Sequence, residues 1–341
     1  MLTLPPELDG AIARALGTTH PSRWVREAQA LSERYRAPRL PDGAPLVSNA
    51  AQALGYAAII LPATYAQLYG AMAATAARIP AWQPATLLDL GSGPGTALWA
   101  AAAVWPTISR MVAWEREAAL IALGRELASA SSAPAVRATR WERADLRTLS
   151  GVASARHPTY DLVVLGHVLN ELPPDARPAI IDAAWRLAGG LLLIVEPGDS
   201  ASFAVARAAR DQLLSAGART IAPCAHDRPC PLENDWCHFP QRLRRPAFQR
   251  RARGAPSEWE DAKFAYAALA RFLPEQSIWG RVIREPQANK AYAEAKLSTR
   301  DGVAWYRALK RHKEAFRRVK DLRWGEALPE PLPAPIEPVT R

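Results

Sequence analysis

No stretch of this 341-residue chain reaches the roughly 20 apolar residues that a membrane-spanning helix needs. Its first residues, Met1-Leu2-Thr3-Leu4-Pro5-Pro6-Glu7-Leu8-Asp9, place no basic flank before an apolar core, the pattern of neither a signal nor a transit peptide. A cytoplasmic location without a membrane partner is therefore expected. Cysteine is scarce: three residues, all between Cys224 and Cys237. In a cytoplasmic chain that is not a disulfide framework, and the clustering is improbable by chance. Acidic residues are outnumbered, 33 against 43 Lys and Arg, for a net charge of +10 and a pI near 9.9. That balance favours polyanionic partners, nucleic acid first. No internal repeat is present. Apolar residues are not scarce, at 49%, and the length allows more than one domain.

The periodicity divides the chain into four regions, 1–80, 81–218, 219–326 and 327–341. The first reads as a helical cap: Leu8, Ile12, Ala15 and Leu16 recur at helical spacing, and Trp24 to Tyr35 continues the pattern with Ser22 as an N-cap. Pro38 to Pro45 is a Pro-rich connection, and Leu61-Pro62 interrupts an Ala-rich apolar segment, Ala50 to Ala77, as a kink or break. From Thr86 strands and helices alternate. Strands are expected at Thr86–Leu90, Arg110–Trp114, Val136–Arg143, Tyr160–Leu165 and Gly190–Val195, with helices at Glu117–Ala130, Arg177–Leu187 and Ser200–Ala216. This is the rhythm of an α/β domain with a doubly wound, mostly parallel sheet, whose ligand lies at the carboxyl ends of the strands. The third region is a Cys- and Arg-rich extension. The Pro-rich 327–341 reads as a disordered tail.

The block Leu87-Leu88-Asp89-Leu90-Gly91-Ser92-Gly93-Pro94-Gly95-Thr96 is a strand, a glycine turn and a helix start. Glycines let backbone approach a ligand, and a helix N-terminus offers free N–H groups. Three acids fall at the ends of successive strands: Asp89, Glu115 and Asp145, the last in Asp145-Leu146. An acid after the second strand suits the two ribose hydroxyls, and the Asp-Leu pair suits an adenine. The loop lacks the G-x-G-x-x-G spacing of a dinucleotide site, so NAD is the second choice and S-adenosylmethionine the first, with Asp89, Gly91, Ser92, Gly93, Gly95, Glu115, Asp145 and Leu146 as its site. The arrangement resembles the class I methyltransferases, whose in-line methyl transfer needs positioning more than acid–base power. No catalytic motif is recognisable. After the fourth strand stand His167, Asn170 and Glu171. His167 is a candidate base, while capping and fixing the loop is the other role open to the three.

The cysteines are spaced C-x5-C-x6-C, Cys224, Cys230 and Cys237, with His226 and His238 interleaved and prolines beside two of them. This is not the paired CxxC of a zinc finger. Soft thiolates bind zinc or iron–sulfur groups, and a fourth ligand must be another residue type or external. The run C-x-H-x3-C-P-L…D-W-C-H-F resembles the Rsm22 family of small-subunit ribosomal proteins. Tyr35-Arg36, Leu61-Pro62-Ala63-Thr64-Tyr65, Leu88 to Ala100, Lys263-Phe264-Ala265-Tyr266, Lys296 to Gly302 and Trp324-Gly325 agree with it, so the resemblance spans about 35–325. It departs at Ile60, where an Arg is expected. The resemblance implies a methyltransferase fold, a role in small-subunit ribosome assembly and a [4Fe–4S] cluster on Cys224, Cys230 and Cys237. The family's fourth cysteine is here Ser298. Ser298, His226, His238 or an external group completes the set, with zinc through a histidine as the alternative.

Two basic clusters follow. Arg242, Arg244, Arg245, Arg250, Arg251 and Arg253 adjoin the cysteine segment. Arg307, Lys310, Arg311, Lys313, Arg317, Arg318 and Lys320, with Leu309, Phe316 and Val319, read as a basic amphipathic helix. Such density neutralises phosphates and makes small-subunit rRNA the expected partner. Three functions fit: an rRNA methyltransferase, a non-catalytic assembly factor using the fold as scaffold, and a methyltransferase acting on another RNA or on protein.

Overall fold

The computed structural model describes residues 1–36, 46–149, 158–254 and 257–339; the expected connection Pro38 to Pro45 lies outside them. The chain forms two compact units. One comprises the described residues of Met1–Ala73, Gln83–Val195 and Gln241–Ala262; the other comprises those of Ala74–Trp82, Glu196–Pro240 and Lys263–Arg341.

The first unit begins with α1 (Pro6–Gly17), α2 (Pro21–Arg36) and α3 (Ala50–Ile59), followed by α4, which starts at Leu61 and runs to Ala76. α2 starts at Pro21, so Ser22 lies inside it rather than capping it. The break at Leu61-Pro62 is real: α3 and α4 meet at 54°. Among the described residues no single helix is long and apolar enough to cross a membrane. The cap helices share one unit with the sheet, because α3 packs closely on its neighbours. A Cβ on Gly55 would lie 2.8 Å from the Ala28 backbone nitrogen of α2.

Five parallel strands follow: β1 (Thr86–Leu90), β2 (Arg110–Glu115), β3 (Arg140–Arg143), β4 (Tyr160–Gly166) and β5 (Ala188–Pro197), in the order β3-β2-β1-β4-β5. Leu88 is paired with Val112 on one side and Val163 on the other, and Val163 with Leu192, all buried. Continuous apolar runs such as Leu191–Val195 are what a sheet covered on both faces requires. Asp161 fixes the lower end of the β1–β4 pair, its Oδ2 accepting from the Ala85 and Thr86 amides, both at 2.9 Å. The intervening helices are α5 (Thr96–Val104), α6 (Ala118–Ser129), the single turn α7 (Pro134–Arg137) and α8 (Arg177–Leu187). The expected strand from Val136 therefore starts only at Arg140. Pro134 opens a helical turn there, where its missing N–H is no loss.

In the second unit α9 (Ser200–Ser215) precedes β6 (Arg219–Ala222). The chain then returns to the first unit through β7 (Phe239–Arg244), α10 (Ala247–Arg253) and the start of β8 (Trp259–Ala270), whose far end, in the second unit, pairs antiparallel with β6. An antiparallel sheet then forms from β9 (Gly280–Val282), β10 (Gln287–Ala288), β11 (Tyr292–Thr299), β12 (Val303–Leu309), β13 (Ala327–Leu328) and β14 (Glu337–Val339), with α11 (Lys313–Lys320) packed on it. Ala293, Ala295 and Leu297 alternate along β11 and bury one face against Ala315 and Val319 of α11.

Two expectations are corrected here. The basic segment from Arg307 is not one helix: Arg307 and Leu309 are on β12, Lys310 and Arg311 are in the turn, and only Lys313–Lys320 is helical. The strand carries no two-residue alternation that would mark it in the sequence: its residues are half-buried up to Arg307, and Ala308 is the one buried. The Pro-rich 327–341 is not wholly a tail either, since β13 pairs with β9 and β14 with β12. Its prolines fall at sheet-edge or inter-strand positions, where a missing N–H is tolerated.

Candidate functional site

The glycine turn follows β1 directly. Gly91, Gly93 and Gly95 all hold positive φ, 73°, 54° and 82°, a region side chains avoid. Gly91 is needed for a second reason: a Cβ there would meet Val168 Cγ2 at 2.6 Å and Leu146 Cδ1 at 3.4 Å. A small cavity opens over this turn, lined by Tyr56, Thr64, Leu68, Asp89, Gly91, Ser92, Thr96, Ala97 and Gly166.

Asp89 sits one residue before the end of β1 and is 2% exposed. Its Oδ2 has no hydrogen-bond partner, nor has Thr96 Oγ1, from the first turn of α5. Burial, then the nearby Glu115, pushes the Asp89 carboxyl up to about 8. Glu115 ends β2, buried, its Oε2 accepting from the Gly93 amide and its Oε1 from the Glu117 amide, both at 2.8 Å. It thus clamps the glycine turn to β2, and burial raises its carboxyl as well.

Of the other expected residues, Leu146 packs beside Gly91, whereas the Asp145 carboxylate is engaged at home. It accepts from the Arg147 amide at 3.0 Å and from the Arg147 guanidinium, which holds it below its ordinary value. Asp145, Leu146 and Glu115 border the turn without lining the cavity. His167 has φ +62° and donates its amide to Val195 O at 2.7 Å. Asn170 and Glu171 lie in a short 3-10 turn, Leu169–Glu171, and none of the three lines the cavity. Tyr56 and Thr64, bonded to each other, escaped the sequence reading. They come from an Ala-rich helical stretch whose composition signals only packing.

In the second unit Cys224, Cys230, Cys237, His226 and Ser298 line one cavity, with Arg207, Arg210 and Tyr266. Burial pushes the Cys224 thiol up and the Cys237 thiol further up. Among the described residues no three His, Cys, Asp or Glu side chains stand together closely enough to share one metal ion. The three cysteines share the lining of one cavity without forming such a group. His238 is not part of the lining. Its ring is stacked on Trp236 and edge-on to Trp324, with centroids 5.4 and 4.9 Å away. Burial and the Arg284 guanidinium push it down to about 4.

The first basic cluster is largely neutralised within its own unit. Arg242 is bidentate to Asp261 at 2.8 Å, Arg245 and Arg253 share Glu260, and Arg250 faces Glu258. Arg244 lies over the Trp259 ring. The acids sit at Glu258, Glu260 and Asp261, at the start of β8. In the second cluster Arg307 is bound to the buried Glu294. Lys310, Arg311, Lys313, Arg317, Arg318 and Lys320 are exposed, and of these Arg318 faces Glu326 at 3.8 Å.

A parallel sheet in the order β3-β2-β1-β4-β5, with a glycine turn between β1 and α5 and an acid closing β2, defines the class I S-adenosylmethionine-dependent methyltransferase fold. Distant structural likenesses include the magnesium protoporphyrin IX methyltransferase of Synechocystis PCC 6803 with bound SAM, 11% identical with a TM-score of 0.41, covering 71% of this chain and 90% of that one. The TehB-like SAM-dependent methyltransferase of Corynebacterium glutamicum is 18% identical with a TM-score of 0.36, covering 60% and 86%. Within this class the chain belongs to the Rsm22 family, described by the mitochondrial small ribosomal subunit Rsm22, whose model matches residues 50–329. The human mitochondrial ribosome assembly protein METTL17 is 28% identical over 358 residues, covering 98% of this chain and 70% of that protein.

Proposed function

We propose that this chain is a ribosome assembly protein that binds S-adenosylmethionine over its glycine turn and small-subunit rRNA through its second unit. The observation that carries the cofactor reading is the pair of unpartnered buried atoms, Asp89 Oδ2 and Thr96 Oγ1, facing one cavity at the end of β1. A buried carboxylate without a partner calls for a donor or a cation. S-adenosylmethionine brings an ammonium and a sulfonium. The ribosomal reading follows from membership of the Rsm22 family and the likeness to METTL17. Calorimetric titration of the full chain with S-adenosylmethionine, and co-sedimentation with small-subunit precursors, test the two halves separately. Absence of either binding removes that half.

Methyl transfer is the finer claim. Gly166, at the end of β4, faces Leu68, whose Cδ2 would lie 3.1 Å from a Cβ there. Leu68 gives this side of the cavity an apolar wall, and in-line methyl transfer needs positioning more than an acid or a base. A labelled-methyl assay on precursor particles decides it: incorporation into rRNA establishes turnover, and its absence leaves a bound cofactor.

The thiol cavity is read as the seat of a [4Fe–4S] cluster. A single zinc, about 2.3 Å from each thiolate, draws its ligands to a point, whereas a four-iron cage spreads them around itself. Cys224, Cys230 and Cys237 would hold the cage, with Ser298 at the fourth corner. Such a group would supply electron-transfer or redox-sensing chemistry.

For rRNA the exposed cations of the turn and α11 replace the first basic cluster as the expected binding surface. The slope of log K against log salt falls by about 1 for each phosphate that the protein no longer neutralises. Arg317→Glu and Lys310→Glu are each expected to lower it by about that amount. Arg242→Gln is expected to leave it unchanged, because Arg242 is already held by Asp261. Filter binding across a salt series measures the slopes, and equal slopes in all four proteins would reject this placement.

A further inference from the structure

The cysteines do not account for all the polar groups of the thiol cavity. Tyr266 and Arg210, 5% and 3% exposed, both line it, and Tyr266 Oη and Arg210 Nε have no hydrogen-bond partner. His226 Nδ1, on the same wall, has none either. Arg210 commits its other nitrogens to Asp211 Oδ1 at 3.0 Å and to the carbonyls of His226 and Arg228 at 2.8 and 3.0 Å. Two further guanidiniums are buried in this unit, each 4% exposed. Arg281, facing Ser298 across the β9–β11 pair, donates to Pro223 O at 2.7 Å and Gly325 O at 2.8 Å, leaving Nη2 unpartnered. Arg78 donates to Gln276 O and leaves Nη1 unpartnered.

Three buried guanidiniums thus meet, among the described residues, one directly bonded acid, Asp211, itself 44% exposed. Buried charges are ordinarily paired, and leaving one unpaired is costly. A guanidinium N–H can only donate, so the missing partner is an acceptor, and the surplus charge makes it an anion. The geometry points to a guest of net negative charge in this cavity, hydrogen-bonded by Arg210 Nε–H and Tyr266 Oη–H, with Arg281, held against the lining residue Pro223, as further counter-charge. Two guests share that chemistry: a thiolate-bound iron–sulfur group, whose sulfides accept hydrogen bonds, and a free oxyanion. The identity of the guest rests on the cluster reading above; the sign of its charge does not.

Tyr266→Phe separates recognition from architecture, because it removes one oxygen that bonds nothing in the guest-free chain. The full chain and this variant are purified without oxygen, and bound iron and sulfide are quantified. The expected result is an unchanged or higher thermal midpoint for guest-free Tyr266→Phe. Its iron should be lost to a chelator about tenfold faster, as for one charge-assisted hydrogen bond, and its reduction potential should move to a more negative value, since the lost donor favoured the more negatively charged reduced state. Equal retention and equal potential in the two proteins overturn the inference. If the wild-type chain holds no iron and sulfide, the cluster reading fails by itself, and inorganic phosphate is titrated into the metal-free protein. Phosphate binding that weakens in Tyr266→Phe then sustains the anion site, and no binding to the wild type overturns it too.

Discussion

Asp89→Asn is expected to stabilise the ligand-free chain at neutral pH while weakening S-adenosylmethionine binding about 100-fold. The two effects have one cause. Burial and Glu115 raise the Asp89 carboxyl from 3.8 to about 8, so at pH 7 it is neutral in the folded chain and ionised in the unfolded one. Folding then takes up a proton. Stability falls as pH rises between about 4 and 8, by at most about 1.4 kcal/mol per pH unit, and the full penalty is present above 8. Asparagine abolishes that slope, with an expected gain on the order of 1–2 kcal/mol at pH 7. A cationic ligand reverses the sign: it returns Asp89 to its charged form, and truncating one partner of such a buried pair costs about 2–5 kcal/mol. Denaturant unfolding at pH 5, 7 and 8.5 and calorimetry in two buffers measure both effects. Parallel pH slopes for wild type and variant would refute the assignment of Asp89 as the unpartnered acid.

The sheet was legible because its signal is local. Leu162 to Leu165 and Leu191 to Val195 are apolar on both faces, and only a covered parallel strand makes use of that. The glycine turn was legible for the same reason, since three positive-φ positions in five residues leave little choice of residue. Pairing partners were less visible. Nothing in Asp145-Leu146-Arg147 reveals that the arginine folds back on the aspartate, and Glu115 gave no sign that it would grip the Gly93 amide. Nor does composition separate the arginines at 242–253, met by Glu258, Glu260 and Asp261, from those of α11, which face solvent. Charge counts along a chain report density, whereas binding phosphate needs cations whose carboxylates are elsewhere. Tyr56, Thr64 and Tyr266 were not legible as site residues, although Thr64 and Tyr266 stand in stretches that carry the family resemblance, because each lies in an Ala-rich stretch where an aromatic or a threonine reads as packing.

Gly124→Val is expected to cost about 2–3 kcal/mol of stability and to weaken cofactor binding, although Gly124 touches no cofactor residue. By helix propensity alone, replacing a glycine inside a helix such as α6 is favourable by up to about 1 kcal/mol. Sterics oppose it more strongly. A Cβ on Gly124 would clash with the Trp141 ring, at 2.7 Å from Cζ3 and 2.9 Å from Cζ2. The same ring covers the glycine turn, with Trp141 Cη2 at 2.8 Å from the position of a Cβ on Gly95. Trp141 is therefore wedged between α6 and the turn, and a side chain at 124 must push it against Gly95. Trp141→Leu should relieve the clash, so the double variant is expected to be less destabilised than the sum of the two single changes, a coupling of about 1 kcal/mol or more. Unfolding midpoints and S-adenosylmethionine affinities of the four proteins give the cycle. Strict additivity, or a Gly124→Val chain as stable as the wild type, would show that the turn does not depend on this wedge.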